Sequence, residues 1–319
     1  MFINQAIERW GSYQGLSQRP LDFDQFWQAK KAQVDQLGLD YQIQDAHIPS
    51  TIAKGYWLTF QGVGGGSVLC QLVVPTHLDS YGLMLQFHGY HGSSGDWHSK
   101  IGLAADGFAT LALNVRGQGG PSYDNVASRG NNLKGHIIRG VEGGPDSLFY
   151  TRIFQDVYQM TRIGLSLTGV DSTRVYAQGA SQGGALALVA AALSPQVKQA
   201  FVMYPFLSDY RRAYMEEPAT SAYEELMYYL RRHDPNHSHQ DDFFKTLDYI
   251  DMVNFAPWIQ VPVLWGIGLR DRACPPVTQF AVYNHLAGPK EMVFYPEHEH
   301  EDLPNFYDKV RKVLLGLGH

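Results

Sequence analysis

The stretch QGASQGG (Gln178–Gly184) decides the fold, because it places a serine in a Gly-x-Ser-x-Gly pattern. A β-rich run, Arg174–Ala177, precedes it and an Ala/Leu-rich segment, Gly184–Leu193, follows, which indicates a strand leading directly into a helix. Such a sharp turn forces the serine into a strained backbone conformation that only small neighbours permit, and it exposes the hydroxyl. The flanking strand and helix disfavour the alternative, a chance glycine-rich turn that caps a helix. Ser181 is therefore the candidate nucleophile.

The residues needed to activate this serine follow it in the chain. A serine hydroxyl is a weak nucleophile at neutral pH and needs a histidine base that is oriented by a carboxylate. Asp271 follows the predicted strand Val261–Gly266, and both His298 and His300 follow the next strand, Glu291–Tyr295. The order Ser, Asp, His at successive strand ends is that of the α/β-hydrolase fold. The residues alone predict Asp271 as the acid and His298 or His300 as the base.

Other roles for the acidic residues are open to the sequence. Asp271 precedes Pro275, so it can instead be a solvated turn carboxylate or a helix cap. Asp209 and Asp251 are rival acids, but they fall in a region where they are poorly placed to orient a histidine from the last strand. Position at the strand end therefore favours Asp271.

A metal site is the weaker hypothesis. Two pairs of histidines have metal-like spacing: His298 with His300, and His237 with His239. Neither pair has the convergent third ligand that zinc requires. Two cysteines, Cys70 and Cys274, supply neither a disulfide framework nor a Cys-rich zinc site. We predict no metal and no cofactor.

Two backbone amides are candidates for an oxyanion hole, the pair of N–H groups that stabilises the charge formed when serine attacks a carbonyl. One is the amide of Gln182, directly after the nucleophile. The other is expected in the loop after the third predicted strand, where Phe87–Gly92 supplies a His-Gly-Tyr segment. We predict the amide of Tyr90 there; a glycine that merely turns the chain is the alternative.

Strand and helix signals alternate through most of the chain. Helical patterns over Tyr150–Leu167 and Gly184–Leu193 separate successive β-rich runs, which predicts a mostly parallel sheet with helices on both faces. The first two runs lie close together and predict an antiparallel edge. The predicted strands are Tyr56–Gln61, Val68–Val74, Leu83–Phe87, Ala109–Val115, Arg174–Ala177, Gln199–Tyr204, Val261–Gly266 and Glu291–Tyr295.

No repeat, low-complexity tract or long polar linker marks a domain boundary, so we predict one domain over residues 1–319. A helix around Phe23–Leu37 is expected to form an N-terminal extension on the outside of the sheet. Leu207–Ala256, rich in Tyr and Phe, predicts a helical cap inserted into the domain. Its aromatic residues could line a substrate pocket, but such residues at helical spacing are more often core.

Composition excludes several classes of protein. Hydrophobic residues make up 45% and charged residues 18%, which excludes an intrinsically disordered chain. The formal net charge is -6 and no Lys/Arg block stands out, so we expect no nucleic-acid partner. The sequence carries no export signal and no apolar run near the roughly 18 residues of a membrane span. We therefore expect a cytoplasmic protein without membrane contact.

Together these motifs resemble carbohydrate esterase family 7, the acetyl xylan esterases and cephalosporin C deacetylases, over nearly the whole chain. The Arg-Gly-Gln triplet Arg116–Gln118 is the most discriminating motif, since the serine elbow occurs across many unrelated hydrolases. In the family a His-Glu pair precedes an aliphatic residue, proline and phenylalanine; His300 fits that register and His298 does not. The resemblance therefore implies His300 as the base. The matching segments are Phe87–Tyr90, Arg116–Gln118, Gly179–Gly184, Asp271–Pro276, His300–Glu301, Pro304 and Phe306.

The resemblance implies a metal-independent serine esterase that deacetylates small substrates such as acetylated xylo-oligosaccharides, with cephalosporin C as a further substrate. It implies an intracellular homo-oligomer, a hexamer whose active sites face an internal cavity. Arg116 and Gln118 are expected to support the site without touching substrate, with an exposed surface turn as the alternative. Rival functions are a carboxylesterase or lipase of broader acyl specificity, a serine peptidase and a non-catalytic binding protein. The intact Ser, Asp and His set favours an enzyme.

Overall fold

A nine-stranded sheet forms the centre of the fold. A computed structural model describes residues 2–127, 135–216 and 223–317. The strands are β1 (Tyr41–Asp45), β2 (Ala53–Gln61), β3 (Ser67–Pro75), β4 (Tyr81–Phe87), β5 (Phe108–Leu113), β6 (Val170–Ala180), β7 (Gln199–Met203), β8 (Val263–Gly268) and β9 (Lys290–Tyr295). They lie in the order β1-β2-β3-β5-β4-β6-β7-β8-β9.

The sheet has a parallel part and an antiparallel part. Strands β4 to β9 pair in parallel, whereas β1, β2, β3 and β5 are joined by antiparallel pairings. This confirms the predicted mostly parallel sheet of the α/β-hydrolase fold. The predicted antiparallel pairing of the first two runs is confirmed as β2 and β3, but the edge strand is β1, which pairs outside β2. All five residues of β1 are exposed, including Tyr41 and Ile43, and two apolar residues in so short a segment give only a weak strand signal.

Helices lie on both faces of the sheet. They are α1 (Phe2–Trp10), α2 (Phe23–Asp35), α3 (His98–Ala105), α4 (Phe149–Ser166), α5 (Gln182–Leu193), α6 (Tyr210–Met215), α7 (Glu224–His233), α8 (Gln240–Leu247), α9 (Met252–Phe255), α10 (Pro276–His285) and α11 (Phe306–Leu314). A large core between α4, α5 and the sheet contains Ile153, Leu186 and Val202. On the other face, Phe306 and Val310 of α11 pack in a second core. None of these helices is both long and apolar enough to cross a membrane.

The helix α2 lies one layer out from the sheet. Its side chains Phe23 and Trp27 are fully buried. Trp27 packs against Phe154 of α4 and Phe255 of α9, with ring centroids 5.7 and 5.0 Å apart. The predicted N-terminal extension therefore reaches the sheet through α4.

The insertion between β7 and β8 is helical, as predicted, over its described parts, 207–216 and 223–256. It contains α6 to α9. Most of its larger aromatic side chains are buried and belong to the main core, as the residue pattern indicated: Tyr210, Tyr223, Phe243, Phe244 and Phe255. The described parts of the insertion thus contribute side chains to the main core.

Candidate active site

Ser181 occupies the sharp turn between β6 and α5. Its backbone has φ 57° and ψ −122°, a conformation that residues other than glycine rarely adopt. The Ser181 amide donates to the carbonyl of Met203 at 3.0 Å, and its carbonyl accepts from the Phe206 amide at 3.0 Å. These bonds to the end of β7 hold the strained turn in place.

The glycines on either side of Ser181 are required by close backbone approach. A Cβ at Gly179 would overlap the backbone of Gly183, and a Cβ at Gly183 would overlap the carbonyl of Phe87. The Gly-x-Ser-x-Gly pattern therefore packs the start of α5 against both its own strand and the end of β4.

Asp271 and His300 form a hydrogen-bonded pair at the neighbouring strand ends. Asp271 is buried after β8; its Oδ1 accepts the amides of Ala273 and Cys274, each at 2.8 Å. Its Oδ2 lies 2.8 Å from His300 Nδ1. Since a carboxylate only accepts, His300 Nδ1–H is the donor, which leaves Nε2 free to accept a proton. The His300 side chain is 28% exposed.

The rival residues lie elsewhere. The His298 ring packs on Tyr295, with centroids 5.4 Å apart, rather than against Asp271. Asp209 accepts the Tyr13 hydroxyl at 2.8 Å. Asp251 accepts the amide of Asp209 at 2.9 Å. Asp209 therefore joins the insertion to the N-terminal segment, and Asp251 joins the two ends of the insertion to each other.

Cys274 lies among the candidate catalytic side chains. Its Sγ and the ligand atoms of Asp271 and His300 lie within 4.8 Å of one another, and the Ser181 side chain lies beside the thiol. This is the one convergent group of possible metal ligands among the described residues. Burial raises the pKa of the Cys274 thiol well above its ordinary value, and Asp271 is already engaged by His300. In this group the Asp271 carboxylate therefore acts as the hydrogen-bond acceptor of His300 Nδ1–H.

The loop that carries Tyr90 is held by a neutral histidine. Burial lowers the pKa of His88 to about 4. His88 Nδ1 lies 2.7 Å from the carbonyl of Gly89, to which it donates, and Nε2 accepts the Val115 amide at 3.0 Å. One imidazole thereby fixes both the loop after β4 and the chain after β5.

Gln182 and Gln118 bind this loop to the start of α5. Their side-chain amides pair reciprocally, at 2.7 and 3.0 Å. Gln182 Nε2 also lies within 3.4 Å of the carbonyls of His88 and Gly89, and Gln118 Oε1 accepts the His91 amide at 3.1 Å. The Gln182 amide is the first of helix α5, where the helix dipole favours negative charge. The loop and helix end thus form one rigid corner beside Ser181.

Arg116 is fully buried beneath this corner. Its Nε and Nη2 donate to the two carboxylate oxygens of Asp156, both at 2.6 Å, and Nη1 donates to the carbonyl of Val63 at 2.9 Å. Asp124 lies 3.6 Å from Nη1. The guanidinium joins the chain after β5 to helix α4 and to the β2–β3 connection.

Sequence reasoning missed three buried polar partners of these residues. Asp156 pairs with Arg116, Tyr150 donates to Gln182 Oε1 at 2.8 Å, and Glu225 accepts the Tyr90 hydroxyl at 2.8 Å. Asp156 and Tyr150 lie on the buried part of α4. Knowing that this part of the helix is buried would have identified them as partners, but the sequence does not show which face of α4 is buried. On a helix, the same residues could equally face solvent.

A family model described as acetyl xylan esterase matches residues 1–317. The chain belongs to the acetyl xylan esterase family. The resemblance carried by the motifs is thereby confirmed.

Solved structures of acetyl xylan esterases are similar to this chain over its full length. Acetyl xylan esterase 1 from Thermoanaerobacterium sp. JW/SL YS485 is 36% identical, with a TM-score of 0.94, covering 100% of this chain and 99% of that one. Acetyl xylan esterase from Paenibacillus sp. R4 is 32% identical, with a TM-score of 0.93 and 99% of both chains covered.

A curated relative, acetyl esterase Axe7A of Xylanibacter ruminicola, is 26% identical over 291 residues, or 89% of this chain. This chain spans 64% of that protein's length.

Proposed function

We propose that this chain is a serine esterase that removes acetyl groups from small acetylated substrates, acetylated xylo-oligosaccharides among them. One observation carries the proposal: the strained Ser181 turn is bonded to Met203, and the ring of His300, paired with Asp271, packs on the next residue, Tyr204, with centroids 4.4 Å apart. Membership of the acetyl xylan esterase family supports the acetyl specificity.

In the proposed mechanism, His300 Nε2 takes the proton of the Ser181 hydroxyl while Oγ attacks the acetyl carbonyl carbon. Asp271 holds the ring and stabilises the imidazolium. The amides of Tyr90 and Gln182 donate to the oxyanion of the tetrahedral intermediate. The bond to the alcohol then breaks as His300 protonates the leaving oxygen. Water, deprotonated by His300, hydrolyses the acetyl-enzyme and releases acetate.

Arg116 and Gln118 support this machinery in the proposal. Gln118 bonds to the Tyr90 loop and to Gln182, and Arg116 fixes the chain that leads to Gln118. Neither residue is assigned a contact with substrate. Their role is to keep the two oxyanion donors in a fixed relation.

The test is hydrolysis of p-nitrophenyl acetate, butyrate and octanoate by the wild type and by Ser181→Ala. We expect strong preference for acetate, and loss of several orders of magnitude in kcat in the variant. Comparable rates with longer acyl chains would indicate a broader carboxylesterase or lipase. Absence of turnover that depends on Ser181 would indicate a binding protein. Acetylated xylo-oligosaccharides and cephalosporin C, assayed by acetate release, then test the alcohol portion.

The assembly and compartment are proposed from the family resemblance. We propose a homo-hexamer with its active sites facing an internal cavity, in the cytoplasm. An internal cavity would exclude polymeric xylan and admit oligosaccharides. Light scattering coupled to gel filtration tests the assembly: a mass of about one 35.8 kDa chain would exclude it.

A further inference from the structure

Glu225 is a carboxylic acid enclosed in the protein interior, on helix α7 of the insertion. It is 1% exposed. Burial raises the pKa of Glu225 to about 8. A carboxyl group in such surroundings is strongly unfavourable unless its oxygens are well hydrogen-bonded, so its partners indicate what it does.

Those partners belong to two segments outside the insertion. Glu225 Oε1 accepts the Tyr90 hydroxyl at 2.8 Å, and Oε2 accepts the Ile138 amide at 3.0 Å. The Tyr90 hydroxyl in turn accepts the His136 amide at 2.6 Å. A Cβ at Gly135 would lie only 2.5 Å from Glu225 Oε1, so the chain here is wrapped closely around the carboxyl. Glu225 therefore joins α7, the loop after β4 and residues 135–138.

Tyr90 is consequently fixed at both ends. Its ring packs on Phe206, with centroids 5.3 Å apart, and its hydroxyl is locked between Glu225 and the His136 amide. Its backbone carries the N–H proposed as an oxyanion donor. An anchor at the far end of a rigid aromatic side chain limits how far that backbone can rotate or shift.

We infer that Glu225 is a positioning residue: through the Tyr90 hydroxyl it holds the Tyr90 amide in the direction that the oxyanion requires. This inference rests on the proposed function. Loss of a whole oxyanion donor lowers kcat about 100- to 1000-fold. A donor that is present but loosely held should lose part of that, and we expect about a tenfold decrease in kcat.

The experiment compares Glu225→Leu, which removes the acceptor of the Tyr90 hydroxyl, with Tyr90→Phe and the double variant, using p-nitrophenyl acetate. Each single variant should lower kcat about tenfold and change KM less than about twofold, because the oxyanion exists only in the transition state. The double variant should lose no more than the worse single variant, since both changes break one contact. Asp251→Asn is the matched control: it alters a buried carboxylate that accepts the Asp209 and Tyr210 amides, and kcat should not change.

Several results would overturn the inference. These are unchanged kcat in both single variants, multiplicative losses in the double variant, or an equal loss in Asp251→Asn. Circular dichroism and thermal unfolding check the fold of each variant. If Glu225→Leu does not fold, Tyr90→Phe carries the test, because it removes a single hydroxyl and keeps the ring.

The Ser181→Ala variant separates this inference from the proposed function. If wild-type turnover does not depend on Ser181, the proposed function fails, and the role of Glu225 fails with it. If turnover depends on Ser181 but Tyr90→Phe retains full kcat, only the role of Glu225 fails.

Discussion

Two pairs of ionisable side chains near the site have similar geometry and opposite surroundings. Asp271 and His300 are joined at 2.8 Å, and Arg116 and Asp156 at 2.6 Å. The His300 side chain is 28% exposed, whereas Arg116 is wholly enclosed. An imidazole that reaches the site can exchange a proton with substrate, while an enclosed guanidinium keeps its charge. A short contact between ionisable groups therefore does not by itself show whether they take part in catalysis or stabilise the fold. Accessibility of the side chain to substrate and solvent distinguishes the two roles.

The largest expected effect comes from Asp271→Asn. The carboxamide oxygen of the new side chain can still accept the backbone amides that Asp271 Oδ1 accepts, so the loop should keep its shape. The carboxamide NH₂ group would face His300 Nδ1 and favour the wrong tautomer of the ring. We expect kcat for p-nitrophenyl acetate to fall about 10,000-fold. The melting temperature should shift only a few degrees, and a modest loss of kcat would contradict the role of Asp271.

Arg116→Ala should act on the fold instead. The substitution leaves the Asp156 carboxylate buried without its guanidinium partner. We expect the free energy of unfolding to fall by about 3 to 5 kcal/mol, measured by urea denaturation. Replacing both residues, as Arg116→Met with Asp156→Leu, should recover part of the loss. An unchanged free energy of unfolding, with a large loss of kcat, would place Arg116 with the catalytic groups and break the comparison.

Glu225 offers a third case, since it is buried with a hydroxyl and a backbone amide as partners. Its pKa rises from an ordinary 4.5 to about 8 because of burial. Between these values the unfolded chain has lost the proton and the folded protein retains it. The stabilising contribution is therefore complete below pH 4.5 and is lost as pH rises towards 8.

This predicts a pH-dependent difference between the wild type and Glu225→Gln, which cannot titrate. From about pH 6 to about pH 7.5 the unfolding free energy of the wild type should fall by about 2 kcal/mol relative to the variant. Urea denaturation at the two pH values measures it. Glu297→Gln, at an exposed position, is the control and should show no such change. No change in the difference between the two pH values would mean that Glu225 is already ionised in the folded protein at pH 6.

The sequence predicted the local features best. A serine elbow depends on adjacent residues, and parallel strands bring their carboxyl ends together, so Ser181, Asp271 and His300 could be predicted to converge. Strand β1 escaped prediction because it is only five residues long and has just two apolar side chains, both of them exposed. Glu225 and Tyr90 are 135 residues apart, and no period or motif in the chain links them. Pairings of this kind follow from how the insertion packs on the sheet, which local patterns do not encode.

The smallest expected effect concerns Cys274, which lies beside Asp271, His300 and Ser181. Proximity alone would suggest a reactive thiol, but burial raises the pKa of this thiol well above its ordinary value, so little thiolate forms. We expect Cys274→Ala to change kcat by less than about threefold, and the native protein to resist thiol labelling. Cys70, also buried, should resist equally, and both should label after unfolding in urea. Rapid inactivation with labelling of Cys274 alone would contradict this prediction. It would show that the Cys274 thiol is accessible from solvent, as the His300 ring is and the Arg116 guanidinium is not.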